Sequence, residues 1–295
     1  MITFLLVLIT ICALFVTILH FGFKAPRIIE TQTPESIGVA FQKVSITTVS
    51  KPKKKPKQLF GWLIPVENST ETLVILHGWG GNAELMLPVA APFHKAGINI
   101  LLIDSRNHGK SDPDSFSSMP RFAEDLNKSI EWLQKYHPNK CQKIAVLGHS
   151  VGGSAVLLAA SKNKNIDAVI SISAFAHPEW LMQRFLENLH LRFLRLPQFF
   201  IAFILRYIQW IIGHSFADIA SLHVVCDVEV PILLVHGKED TVVPIEDARA
   251  IIKHCPDPHI TLFEIDDAGH ESVDKIELHA ERLITFLRDS GLLNH

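Results

Sequence analysis

Residues 147–158 read LGHSVGGSAVLL. A serine stands at the centre of Gly148-His149-Ser150-Val151-Gly152, after the apolar run KIAVLG and before a run of small and apolar residues. A strand that turns at once into a helix brings two backbones so close that only glycine fits beside the turning residue. The turning residue then projects its side chain from the end of the sheet. A serine there is either a nucleophile on a forced turn or a member of a plain glycine-rich connection. The pentapeptide alone leaves both open.

The surrounding pattern says what kind of sheet the turn belongs to. Residues 37–48 and 57–64 have strand character and are joined by a Lys/Pro-rich turn. Short Val/Ile/Leu runs follow at 72–76, 98–104, 143–148, 167–173, 231–237 and 259–265. Between them lie segments with helical character at 83–96, 122–137, from Ser150 onward, around IIKHC, and at 275–289. Continuous apolar strands alternating with helices predict a mostly parallel sheet covered on both faces. With 295 residues, 48% of them hydrophobic, the chain can bury one large core.

One stretch breaks the rhythm. Residues 176–222 carry no strand but contain EWLMQRFLENLHLRFLRL and PQFFIAFILRYIQWIIG. The second run holds Arg206 and Gln209 and is too short for a confident bilayer span. A helical cap over the sheet edge is the expectation, either as plain packing or as an apolar lid or interfacial surface.

A serine hydroxyl needs a base and an acid that orients the base. In this topology the order along the chain is serine, acid, histidine. Asp240 in LLVHGKEDTVVP and His270 in IDDAGHES supply that order, each in a loop just past a strand. Imidazole titrates near neutral pH and suits the base. Glu239 competes with Asp240 for the acid, and Asp266 and Asp267 are expected to fix their loop. A tetrahedral intermediate also needs two preplaced N–H donors. Val151, after the nucleophile, is one; Trp79 in His77-Gly78-Trp79-Gly80-Gly81, after TLVIL, is the other. The Trp79 and His149 side chains are expected to line the substrate pocket.

HGWGG, the element Asp104-Ser105-Arg106-Asn107-His108-Gly109-Lys110-Ser111, GHSVGG, GKEDTVVP and DAGH together resemble the α/β-hydrolase superfamily over residues 37–290. The likeness is to its branch of monoacylglycerol-lipase-like, serine-aminopeptidase-like and short-chain esterase-like members. It implies an α/β-hydrolase fold with Ser150, Asp240 and His270 as catalytic triad, Trp79 and Val151 as oxyanion donors, and His108 as a structural loop residue. No cofactor or metal is expected; acyl transfer to water needs none, and the 16 histidines show no zinc spacing. A serine in place of an elbow aspartate points to ester, thioester or amide hydrolysis. An apolar ester is the expected substrate. A peptidase or amidase, with Glu179 and Glu187 as amine-binding groups, and a non-catalytic binding protein on the same fold are the alternatives.

The N-terminus adds a separate expectation. Residues 1–23 contain no charged side chain, and about 20 such residues suffice to span a bilayer. A cleaved signal peptide would carry a basic start and a small-residue cleavage site, and neither is present. A transmembrane anchor over 1–23, a linker over 24–36 and a hydrolase domain over 37–295 follow. From Gly22 to Lys57 there are eight basic and two acidic residues, which places the domain on the cytoplasmic side of a single-pass protein. The lysines of KPKKKPK suit anionic headgroups or a solvated hairpin loop equally. A net charge of −2 gives no pull toward nucleic acid. Four cysteines, far apart in sequence, suggest buried free thiols and a reducing compartment.

Overall fold

A computed structural model of the chain describes Thr10, Thr17 and residues 25–48, 55–188 and 197–293. The expected anchor over 1–23 lies outside the described residues, those two threonines apart, as does the lysine turn up to residue 54. Among the described residues no helix is long and apolar enough to cross a membrane.

Eight strands form one sheet: β1 (Gln42–Thr48), β2 (Lys57–Ile64), β3 (Glu71–Leu76), β4 (Asn99–Ile103), β5 (Lys143–His149), β6 (Ala168–Ile172), β7 (Ile232–Gly237) and β8 (Ile260–Ile265). Their spatial order is β1-β2-β4-β3-β5-β6-β7-β8. The β1–β2 and β2–β4 pairs are antiparallel and every other pair is parallel. The inner strands β4, β6 and β7 are buried at every position, as a sheet covered on both faces requires. At the edge, β1 alternates exposed and buried residues from Val44 onward.

The helices are α1 (Leu87–Lys95), α2 (Met119–Tyr136), α3 (Val151–Ala160), α4 (Pro178–Asn188), α5 (Gln198–Ile212), α6 (Phe216–Ile219), α7 (Ser221–Val224), α8 (Ile245–His254), α9 (Val273–Leu278) and α10 (Ala280–Asp289). One core cluster joins Val74 and Val146 of the sheet to Leu126 and Ile130 of α2, to α3, and to Ile204 and Ile208 of α5. The other joins Ile75 and Leu147 to Phe93 of α1 and Leu283 and Leu287 of α10. Alternate residues of each inner strand therefore feed opposite cores. This is an α/β-hydrolase fold.

Four expectations shift. The first strand starts at Gln42, because Pro34–Ile37 form a short 3-10 helix that ends on Gly38 at φ 74°. Residues 83–96 divide into a 3-10 turn, Glu84–Met86, and α1. The closing segment is two helices with His279 between them. The region 25–36 is no free linker: Ala25, Glu30 and Pro34 are buried against the domain. Between β6 and β7 the described residues form helices α4 to α7 and a 3-10 turn, Val225–Asp227, with residues 189–196 outside the described residues. The cysteines also differ from expectation. Cys226 is exposed and lies against Cys255, and burial, then that neighbour, push the Cys226 thiol up to about 12.

Candidate active site

Ser150 sits between β5 and α3 at φ 56° and ψ −117°, a conformation costly for any residue with a Cβ. Its neighbours explain why the turn tolerates nothing larger. A Cβ at Gly148 would stand 2.2 Å from the Gly152 carbonyl oxygen, and one at Gly152 would stand 2.5 Å from that of His77. The Ser150 N–H is secured by the Ile172 carbonyl at 2.9 Å. The strain therefore has a fixed frame around it.

The hydroxyl meets an aligned chain of acceptors and donors. Ser150 Oγ is 2.9 Å from His270 Nε2, and His270 Nδ1 is 2.7 Å from Asp240 Oδ2. Asp240 Oδ1 accepts the Val242 and Val243 N–H groups at 2.9 and 2.7 Å. Burial drives the Asp240 pKa upward, but the His270 and Val243 hydrogen bonds outweigh it and hold the carboxyl below the ordinary range. An ionised Asp240 fixes the Nδ1–H tautomer of His270 and leaves Nε2 free to accept from Ser150. The neighbouring Glu239 is exposed, and the bond to His270 comes from Asp240. Asp266 pairs with Lys238 at 2.7 Å, and Asp267 takes a positive φ of 53°.

The HGWGG loop passes directly beside the serine. A Cβ at Gly78 would lie 3.3 Å from Ser150 Cβ. The loop is shaped by His77, whose Nε2 accepts the Ser105 N–H at 3.0 Å and whose Nδ1–H therefore donates to the Gly78 carbonyl at 2.7 Å. Burial lowers the His77 pKa to about 3, so it stays neutral in this role. Among the described residues neither the Trp79 nor the Val151 backbone N–H has an internal acceptor. The Trp79 ring is half exposed, packs edge-on against His108 and lines the cavity.

His149 also lines the cavity, but its Nε2–H donates to the His270 carbonyl at 2.8 Å. Burial first, then the adjacent His270, hold it neutral. It orients the strand-to-loop frame that carries His270. His108 is buried, bonds the Arg106 carbonyl at 2.9 Å and packs on Phe122. Glu179 and Glu187 are not among the cavity-lining residues.

The site opens into a cavity of about 1310 Å³, large beside the roughly 300–1,000 Å³ of common ligand pockets. Cap residues such as Leu181, Met182, Ile204 and Ile208 line one part of it. Two features escape sequence reasoning. Arg184 of α4 makes two 3.0 Å bonds to Asp247 of α8, which also accepts the Ala176 N–H at 2.9 Å and so fastens the cap. Pro26, Ile28, Gln32, Ser36 and Ile37 line the cavity from the segment before the domain. Neither has a local signature.

Comparisons with known proteins agree with this architecture. A family model described as serine aminopeptidase, S33, matches residues 67–202. The chain is 24% identical over 263 residues to the protein described as uncharacterized membrane protein YNL320W of Saccharomyces cerevisiae, covering 88% of this chain and 84% of that one. It is 26% identical over 228 residues to YqkD of Bacillus subtilis, covering 75% and 72%. The esterase Pf2001 of Pyrococcus furiosus superposes with a TM-score of 0.71 at 26% identity, covering 90% of this chain and 96% of that one. With the mostly parallel sheet, the glycine-flanked turn at Ser150 and these likenesses together, the chain has the α/β-hydrolase fold and is similar to members of that superfamily.

Proposed function

We propose that this protein is a serine hydrolase that cleaves apolar carboxylic esters through an acyl-enzyme intermediate. The observation that carries the reading is the continuous Asp240–His270–Ser150 chain, opening into an apolar cavity beside two unengaged backbone N–H groups. In the first step His270 Nε2 takes the Ser150 proton as Oγ attacks the substrate carbonyl. The Val151 and Trp79 amides hold the oxyanion. Asp240 stabilises the imidazolium, which passes its proton to the departing alcohol oxygen. Water then enters, gives a proton to His270, attacks the acyl carbon and releases the acid and Ser150.

The predominantly apolar lining favours ester over amine-recognising peptidase chemistry: Glu179 and Glu187 do not line the cavity, the lining Glu84 carboxylate is engaged by Thr31, and Glu271 is the other acidic lining residue. A fluorophosphonate probe should label the wild-type chain and not Ser150→Ala. Labelling that persists in that variant overturns the choice of nucleophile. Turnover of aminoacyl amides above p-nitrophenyl esters would overturn the ester preference.

The proposal includes attachment to a membrane through residues 1–23, with the domain on the cytoplasmic side. The uncharged N-terminal run and the basic excess after it support this, as does the description of the yeast relative as a membrane protein. Release of the full chain from membranes by alkaline carbonate would overturn it.

A further inference from the structure

The segment 25–37, here called the strap, is built into the domain by four separate contacts. The Pro26 ring lies where a Cβ on Gly80 would stand only 3.1 Å away, so it backs the HGWGG loop directly. Asn82 Nδ2 donates to the Ile28 carbonyl at 3.1 Å. The Thr31 N–H and hydroxyl donate to the Glu84 carboxylate at 2.6 and 3.0 Å. The Glu30 side chain is fully buried, with Lys110 Nζ 3.3 Å from its carboxylate.

The sheet order gives the strap its meaning. Ser150 follows β5 directly, and β5 is flanked by β3 and β4 on one side and by β6 and β7 on the other. The strap rests on the loops that follow β3 and β4, through Gly80, Asn82 and Lys110. The cap follows β6 and is fastened to α8, which follows β7, by Arg184 and Asp247. The cavity is lined from both directions, by Ile28 and Ile37 on the strap side and by Leu181 and Ile208 on the cap side. Leu85, Leu87 and Pro88 add an apolar floor near the strap.

We infer that residues 25–37 form the wall of a second substrate arm, so that the preferred ester carries an apolar group on each side of its carbonyl. One group lies under the cap and the other against the strap, with the scissile carbon at Ser150 between them. This rests on the serine-hydrolase reading above, and deepens it by assigning specificity to a segment outside the sheet and the cap.

The test uses the full chain in detergent micelles and two ester series. One lengthens the acyl group on a fixed small alcohol, and the other lengthens the alcohol on a fixed acetyl group. A third set extends both. The wild type should turn over the doubly extended esters at least ten-fold faster in kcat/KM than either singly extended series. Ile28→Trp narrows the strap arm and should cost about ten-fold in one series while the other stays within two-fold. Leu181→Trp, on the cap side, should do the reverse. Gln32→Trp, at an exposed lining position that carries no packing, guards against misfolding and should act like Ile28→Trp. Equal effects on both series, or none, from the two strap variants overturn the second arm. Fluorophosphonate labelling separates the levels. Labelled variants with unchanged profiles defeat the strap assignment alone, whereas a wild type that takes no label defeats the hydrolase reading itself.

Discussion

The backbone at Ser150 shows how much of a site a single residue can demand of its neighbours. Holding φ 56° requires glycine at 148 and 152, because a Cβ on either would lie within 3 Å of another stretch of backbone. Gly152→Ala should therefore cut fluorophosphonate labelling by at least about 100-fold, since roughly 1 Å of misplacement near the reacting atoms costs that much. Asp240→Asn should keep the fold and lower kcat by about 10⁴, through loss of the required His270 tautomer. The check is a kcat measurement alongside an unchanged melting temperature. These residues were legible in sequence because their spacing is local or their chain order is fixed by the sheet. Glu30 and Arg184 were not, since their partners are far along the chain, Arg184 and Asp247 being 63 residues apart. No short window contains such a pair.

At the level of elements, the strands were easiest to read, because burial on both faces imposes unbroken apolar runs. The edges and breaks were harder. β1 begins late because Pro34 and Gly38 favour a tight turn, although the residues around them look strand-like. The split between α9 and α10 at His279 carries neither proline nor glycine, and the His279 ring packs edge-on against Phe263 of β8. Tertiary packing produces that break. The cap was readable as helices but its attachment was not. Asp247 is buried while Arg184 is partly exposed, so Arg184→Met leaves a buried carboxylate with fewer partners. The expected cost is about 1–3 kcal/mol, discounted for the solvent that reaches Arg184. That corresponds to a melting temperature lower by about 2–12 °C, at roughly 2–4 °C per kcal/mol in a large domain. A variant that melts like the wild type would show that the cap is held by apolar packing alone.

Across the whole molecule, the strap couples the N-terminal segment to the protonation of the domain. Burial, then the adjoining Glu30 carboxyl, push Asp104 up to about 8. Its carboxyl is also fastened by the Ala83 and Lys110 amides at 2.8 Å each. A carboxyl raised on folding binds a proton that the unfolded chain has already released. Its contribution to stability is complete below about pH 4, declines as pH rises, and is gone above about 8. Glu30→Gln removes the neighbouring carboxyl, so its melting temperature should fall less between pH 5 and 9, by about 3 °C. Asp125, which burial pushes up to about 7, is common to both proteins and cancels in the comparison. Parallel curves for the two proteins would mean that Glu30 does not hold Asp104 protonated.

The burial of Ala25 has one more consequence. Two residues of chain reach no further than about 7 Å, so the anchor proposed over residues 1–23 would give the domain almost no slack. Anchored as proposed above, the enzyme would work as a fixture of its own patch of bilayer, with no tether on which to sweep the surrounding solution. Its rate would follow the surface density of substrate in that leaflet, and diluting the same ester with inert lipid should slow it even when the total amount is unchanged.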